Sequence, residues 1–357
     1  MRIKMPPSPG AQVALWIALL ASVAWSGAAQ AAGIAWRVDA PLEQALKEAR
    51  ARDAVVMVDV YADWCGPCQR YDKEVFALDD VNKAVAGAIP VKINAEKGEG
   101  PSIVERYHVV GYPTILFLNA RGQEIDRIFG YLEPEDFKKK AGDFIAGRQT
   151  ITDLQKKLAA APGDHALRFE VGERLVIRGD LKAALPLLAP IFDHDKVNAH
   201  GFAPKIHHLL GKYAYLRGKK DYALATLHLS AIIDRYPDSP EAKGAPYDLA
   251  TAWHGAGEAA KAMETFERWI AAEAGSAGRY NAVAWFCFQK DFELDQGIAI
   301  AKRGLAVDPK ASFLWDTLAE LHHKRGQKAE AVSAIKEAIK LDPGDKYYKE
   351  QLDKFSR

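Results

Sequence analysis

The chain has 357 residues, which at about 100–200 residues per domain predicts two or three domains. Hydrophobic residues make up 49% of the composition and charged residues 27%, so the chain can build packed cores and is not of the disordered class. The formal net charge of +1 excludes a protein that binds nucleic acid or membranes through whole-chain charge. The sequence has three cysteines, too few for a multi-disulfide scaffold, and it lacks the second cysteine pair of a structural zinc site.

The amino terminus has the three parts of a secretory signal peptide. Arg2 and Lys4 are basic, an apolar run follows over residues 11–25, and the Ala-Gln-Ala sequence at 29–31 is a small-x-small cleavage site. We therefore expect residues 1–31 to be removed and the mature protein to be periplasmic. The alternative is an uncleaved membrane anchor, although the apolar run is shorter than the ~20 residues that span a bilayer.

The region over residues 34–147 alternates between strand and helix patterns. Four strands are predicted, at residues 55–61, 89–93, 114–118 and 124–129. Three helices are predicted, at residues 41–52, 65–76 and 135–145. The first strand is a near-continuous β-branched run, which is typical of a strand buried on both faces. The order of elements predicts an α/β domain with a mixed sheet flanked by helices.

The region over residues 150–357 has no strand signal and is rich in Ala, Leu, Lys and Glu. Asp308-Pro309 recurs as Asp342-Pro343, and 343 − 309 = 34 residues is the period of the tetratricopeptide repeat. Between them, the expected small and large positions are filled by Trp315, Leu318, Ala319, His322, Ala331, Ile335 and Ala338. Weaker copies upstream bring the total to about five repeats, which predicts an all-α solenoid. An ordinary helical bundle is the alternative.

The reactive chemistry is predicted at residues 64–68, Trp-Cys-Gly-Pro-Cys, which follow the first strand and open a helix. Free N–H groups and the positive dipole end of that helix stabilise a thiolate on Cys65. Pro67 suits the first helical turn, where it costs no hydrogen bond. Cys68 lies within one turn of Cys65, so the two sulfurs can meet. A static disulfide is the alternative to a redox-active pair.

Residues 55–132 resemble thioredoxin, whose redox centre is the same Cys-Gly-Pro-Cys sequence. Asp59 takes the place of the family's buried carboxylate, and Lys92 matches the lysine that accompanies it. Pro113 matches the proline that is cis in the family and faces the cysteines. Tyr112 departs from the small or branched residue of thioredoxin and resembles the eukaryotic disulfide isomerases. The surroundings of the cysteines also resemble periplasmic thioredoxin-like domains that collect electrons from membrane thiol reductases.

The resemblance implies a thioredoxin fold and roles for each of these residues in thiol–disulfide exchange. Cys65 would attack the client disulfide, Cys68 would release the client, Asp59 would accept the Cys68 proton, and Lys92 would modulate the pKa of Asp59. The substrate-binding residues that it implies are Trp64, Gly66, Pro67, Tyr112 and Pro113. Alternative interpretations stay open: backbone donors that satisfy Asp59, an exposed position for Lys92, and ordinary surface aromatics at Trp64 and Tyr112. Cys287 is expected to be a core residue, and no metal or other cofactor is expected.

The predicted function is that of an exported thiol–disulfide oxidoreductase, a reductase rather than an oxidase, that acts on protein disulfides. Its partners would be disulfide-bearing clients, a protein held in the groove of the repeats, and no nucleic acid. A reducing protein in an oxidising compartment needs an electron source, so a membrane thiol reductase is expected as the donor. The alternative is a chaperone-like or scaffolding protein in which the redox chemistry is secondary.

Overall fold

A computed structural model describes residues 33–195 and 198–357. The predicted signal peptide over residues 1–31, with its cleavage site, lies outside the described residues. Among the residues that are described, no helix combines the length and apolar character needed to cross a membrane.

A five-stranded mixed sheet forms the first part of the molecule. Its strands are β1 (Arg37–Val38), β2 (Val55–Tyr61), β3 (Ala88–Asn94), β4 (Thr114–Leu118) and β5 (Glu124–Phe129). Their spatial order is β1-β3-β2-β4-β5, with β2 parallel to β3 and antiparallel to β4. The central position of β2 explains its apolar sequence, because a strand with a neighbour on each side and helices on both faces has no solvent-facing side.

Five helices cover the two faces of this sheet. They are α1 (Leu42–Arg52), α2 (Gly66–Glu74), α3 (Asp79–Val85), α4 (Gly100–Arg106) and α5 (Pro134–Ile145). One apolar layer joins α1 and α4 to the sheet, and it includes Leu46 and Ile103. The opposite layer, with Tyr71 and Phe137, joins α2, α3 and α5 to the sheet. The predicted mixed sheet with flanking helices is confirmed.

A run of helices follows, as predicted for the second region. They are α6 (Ile151–Ala160), α7 (His165–Ile177), α8 (Leu181–His194), α9 (Phe202–His208), α10 (Tyr222–Arg235), α11 (Ala245–Gly255), α12 (Ala259–Ala271), α13 (Ala277–Lys290), α14 (Leu294–Val307), α15 (Ser312–Lys324), α16 (Lys328–Leu341) and α17 (Lys346–Ser356). A π-helical segment, Leu209–Lys219, extends α9, and a 3₁₀ turn, Pro240–Lys243, precedes α11. From α7 onwards, consecutive helices pack in pairs, and the array ends with α17 packed on α16.

Small residues let the two helices of a pair approach closely. A Cβ on Gly172 would lie 2.6 Å from Leu188, and a Cβ on Gly297 would lie 2.7 Å from the Cβ of Cys287. Cys287 is fully buried, and burial raises the pKa of its thiol to about 12. Cys287 is therefore part of the packing between α13 and α14.

A buried carboxylate on β5 links the sheet to the first helices of the repeat region. Oδ2 of Asp126 accepts hydrogen bonds from the backbone N–H of Ile151 and from Nη1 of Arg174, each at 2.7 Å. Its other oxygen, Oδ1, lies 3.3 Å from Nη2 of Arg178. Asp126 has no exposed surface, so these partners replace the water that it would otherwise bind.

We expect Asp126→Asn to destabilise the protein by about 3 kcal/mol, because the loss of one partner leaves buried charges incompletely compensated. The matched control is Asp295→Asn, which removes a carboxylate that pairs with Arg325 at 2.8 Å on the exposed surface and costs about 0–1 kcal/mol. The measurement is the urea midpoint of the full chain at pH 7. Equal midpoints for the two variants would contradict this role of Asp126.

Candidate functional site

The two cysteines lie at the start of α2 and are joined by a disulfide bond. Cys65 is the residue that caps the helix, and its Sγ accepts a hydrogen bond from the backbone N–H of Cys68 at 3.2 Å. Pro67 stands in the first turn, where no intrahelical N–H is lost. The Cα atoms of the two cysteines are 5.2 Å apart. Reduction of this bond would place the Cys65 sulfur against free N–H groups of the helix start, which favour a thiolate.

Aromatic side chains surround the disulfide. Cys65 and Cys68 are only 3% and 2% exposed, and they pack with Tyr61 and Tyr112. Trp64, by contrast, is 53% exposed, and its ring centroid lies 6.1 Å from that of Tyr112. The disulfide is therefore nearly covered, but it lies beside an exposed indole.

The loop that carries Tyr112 lies immediately before β4, and its Tyr112–Pro113 peptide bond is cis. The Pro113 carbonyl accepts a hydrogen bond from the Gly130 N–H at 2.9 Å, and the Thr114 hydroxyl donates to the Gly111 carbonyl at 2.7 Å. Within the described part of the chain, the backbone N–H and carbonyl of Tyr112 take part in no backbone hydrogen bond. Unpaired backbone groups of this kind can bond to an extended peptide.

Asp59 occupies the middle of β2 and is 1% exposed. Its strand neighbour on β3 is Lys92, whose Nζ lies 3.3 Å from Oδ2 of Asp59. The other oxygen, Oδ1, is buried and has no hydrogen-bond partner. Burial raises the pKa of Asp59 to about 6, and the Lys92 charge only partly opposes this effect. A carboxylate with this pKa and a free buried oxygen is suited to accept a proton near neutral pH.

Lys92 is 7% exposed and contacts a second carboxylate, Asp72 of α2. Burial disfavours the lysine charge, but Asp59 and Asp72 outweigh burial and raise the pKa of Lys92. Sequence reasoning gave Asp72 no role at the site. The available signal was its position four residues after Cys68, which places both residues on one face of α2.

A feature that sequence reasoning missed is the contact between the repeat region and the loop of Tyr112. Nη1 of Arg217, in the π-helical segment, donates a hydrogen bond to the Val110 carbonyl at 3.4 Å. The Tyr213 ring lies edge-on to Phe129 of β5, with centroids 5.1 Å apart. The first repeats therefore border the surface next to the disulfide. No set of three or more His, Cys, Asp or Glu side chains is arranged to hold a metal ion within residues 33–195 and 198–357.

Curated relatives match the first region of the chain. The thiol:disulfide interchange protein DsbD of Klebsiella pneumoniae is 35% identical over 111 residues, which are 30% of this chain and 18% of DsbD. DsbD of Escherichia coli K12 is 36% identical over 106 residues, which are 29% of this chain and 18% of DsbD. This chain thus spans less than a fifth of the length of these relatives. A solved structure of a proposed disulphide-isomerase from Bacteroides thetaiotaomicron is 36% identical, with 33% of this chain and 97% of that chain covered and a TM-score of 0.30.

Family models match three segments of the chain. A thioredoxin-like domain matches residues 42–145. Tetratricopeptide repeats match residues 146–206 and residues 312–345. The matched segments agree with the sheet-containing region and the helical region described above. The chain therefore carries a thioredoxin-like domain joined to tetratricopeptide repeats.

Proposed function

We propose that this protein is a thiol–disulfide oxidoreductase that acts on protein disulfides through Cys65 and Cys68. The observation that carries the proposal is the disulfide between these residues at a helix start, in a thioredoxin-like domain. Asp59 supports it, because a buried carboxylate with a free oxygen can receive the proton that a resolving thiol must lose. Trp64, Gly66, Pro67, Tyr112 and Pro113 would form the surface that contacts the client.

Client reduction would take place in two exchange steps. The Cys65 thiolate attacks one client sulfur, a mixed disulfide forms, and the other client sulfur leaves as a thiolate that takes a proton from water. Cys68 passes its proton to Asp59 and its thiolate attacks the Cys65 sulfur, so that the Cys65–Cys68 bond forms. The second client sulfur leaves as a thiolate and takes up the proton that Asp59 then gives back. The client gains two electrons and two protons, and the protein reaches the disulfide state of the structure.

The proposed direction is reduction of the client. The Cys-Gly-Pro-Cys sequence is that of thioredoxin, whose potential is about −270 mV. Each turnover then needs two electrons from a dithiol donor, and we propose a membrane thiol reductase in that role. The similarity to DsbD, a thiol:disulfide interchange protein, is consistent with this placement. Periplasmic location after cleavage of residues 1–31, and client or partner binding by the repeats, belong to the same proposal.

We expect Cys65→Ala to lower disulfide reduction by at least about 100-fold, because the attacking thiolate is lost. Cys68→Ala should accumulate mixed disulfides with clients, because the second exchange step needs its sulfur. The measurements are insulin reduction with dithiothreitol as donor and capture of clients on non-reducing gels.

The matched control is Cys287→Ala, which removes the third cysteine, a buried residue of α13, and should keep full activity. Full insulin reduction by Cys65→Ala would refute the proposed function. Suppression of client aggregation by a Cys65→Ala/Cys68→Ala double variant, without any loss, would instead favour the chaperone-like alternative.

We expect the second exchange step to depend on pH through Asp59. With a pKa of about 6, Asp59 is ionised and able to accept a proton above pH 6, and it is protonated below. Asp59→Asn should therefore slow release of the client from the mixed disulfide by about 100-fold at pH 8, in line with general-base effects. The rate variation around pH 6 should also disappear. Stopped-flow tryptophan fluorescence between pH 5 and pH 8 measures this step.

Asp59→Asn should slow client release but stabilise the fold. This combination distinguishes the loss of a proton acceptor from misfolding. A carboxylate whose folded pKa is raised holds its proton more tightly when folded, so stability falls as pH rises from the unfolded pKa through about 6. Asp59→Asn should therefore gain stability relative to the parent between pH 5 and pH 8 in urea titrations. The control is Asp79→Asn, which removes a carboxylate from an exposed ion pair with Lys83. An unchanged release rate in Asp59→Asn would remove Asp59 from the mechanism.

A further inference from the structure

The repeat region places a cation beside the loop that precedes Pro113. A Cβ on Gly111 would lie 2.8 Å from Nη1 of Arg217, so the guanidinium lies directly over this glycine, next to Tyr112. The Val110 carbonyl holds it there, and the Tyr213 ring lies 5.6 Å from its central carbon. Arg217 is nevertheless solvent-exposed, so it can still bind another group.

Two lysines extend this positive charge. Lys219 and Lys220 are exposed and follow Arg217 at the end of the π-helical segment. We call these three residues the basic rim. None of them forms an ion pair with a carboxylate in the described residues. They line a cavity of about 480 Å³ between the two domains, together with Val110 and one carboxylate, Glu105. The side chains of this cavity therefore carry an excess of positive charge.

A carboxylate lies near Trp64. Nε1 of Trp64 donates a hydrogen bond to Glu96 at 2.8 Å. The Trp64 ring also contacts the Tyr112 ring, with centroids 6.1 Å apart, whereas Arg217 of the basic rim bonds to Val110, two residues before Tyr112. A peptide that crosses the disulfide in an extended form advances about 3.3 Å per residue. Residues on one side of the reacting cysteine would therefore approach the basic rim, and residues on the other side would approach Glu96.

We propose that the basic rim binds acidic residues of the client that lie on one side of the cysteine attacked by Cys65. This inference rests on the proposed function, and it names a substrate class for the same site: disulfides with carboxylates on one flank. Opposite charges raise the rate of productive encounter and fix orientation. The cations have no carboxylate partner of their own, so a client carboxylate would not have to displace one.

The test uses the reduced full chain and four homodimeric peptides, each linked by one disulfide. Three Glu or three Lys residues stand on the amino-terminal or the carboxyl-terminal side of the cysteine. At low salt, we expect a charge preference in only one of the two Glu/Lys pairs, the pair whose charges reach the basic rim. In that pair, kcat/KM for the Glu peptide should exceed that for the Lys peptide about tenfold. The ratio should fall towards one at 0.5 M NaCl, because exposed charges are screened.

The variant that tests the basic rim is R217E/K219E/K220E, in which the preference for Glu should vanish or reverse. The matched control is K310E/K328E/K336E, which makes the same charge change at exposed lysines of the last repeat and should keep the preference. Equal kcat/KM for all four peptides in the parent protein would overturn the inference and leave the proposed function intact. No reduction of any peptide would overturn both.

Discussion

The burial of one carboxylate in the central strand sets the chemistry that the rest of the site can perform. Asp59 lies on β2, which has strand neighbours on both sides and apolar layers on both faces. Asp59 is 1% exposed, so its charged form is poorly solvated and its pKa rises to about 6. Lys92 keeps this rise moderate, because its charge favours the Asp59 carboxylate, whereas the negative charge of Asp72 adds to the rise. The sheet topology thereby gives Asp59 the pKa that the proposed function requires of a proton acceptor near neutral pH.

A second buried carboxylate, Asp126, determines how the repeats are placed. Its bonds to the start of α6 and to Arg174 of α7 hold the first repeat helices against β5. The adjacent Arg127 adds hydrogen bonds to the carbonyls of Tyr107 and Ile177, at 2.6 and 3.1 Å. Because these groups are buried and paired, rotation of one domain against the other would break several charge-assisted hydrogen bonds. The repeats are fixed beside the loop of Tyr112 rather than attached by a free linker.

The long elements were predictable from sequence, and the short or distant features were not. Strands β2, β4 and β5 have the predicted bounds because their apolar or alternating runs are distinctive. Strand β1 has two residues and helices α3 and α4 have seven each, which is too short for a periodic pattern. Sequence reasoning placed Asp59, Lys92 and both cysteines at one site by resemblance. It could not find Asp126 or Arg217, because their partners are 25 to 107 residues away along the chain.

The near-complete burial of the disulfide gives the surrounding surface control over reactivity. With only 2–3% of each cysteine exposed, a client sulfur would, under the proposed function, approach past the rings of Tyr61 and Tyr112 before exchange begins. Binding at this surface therefore has to precede chemistry, and differences in binding become differences in rate. The repeats contribute one edge of this surface, because the guanidinium of Arg217 lies over Gly111. Under the proposed binding of client carboxylates by the basic rim, the repeats influence client choice beside the reacting bond, in addition to any binding in their own groove.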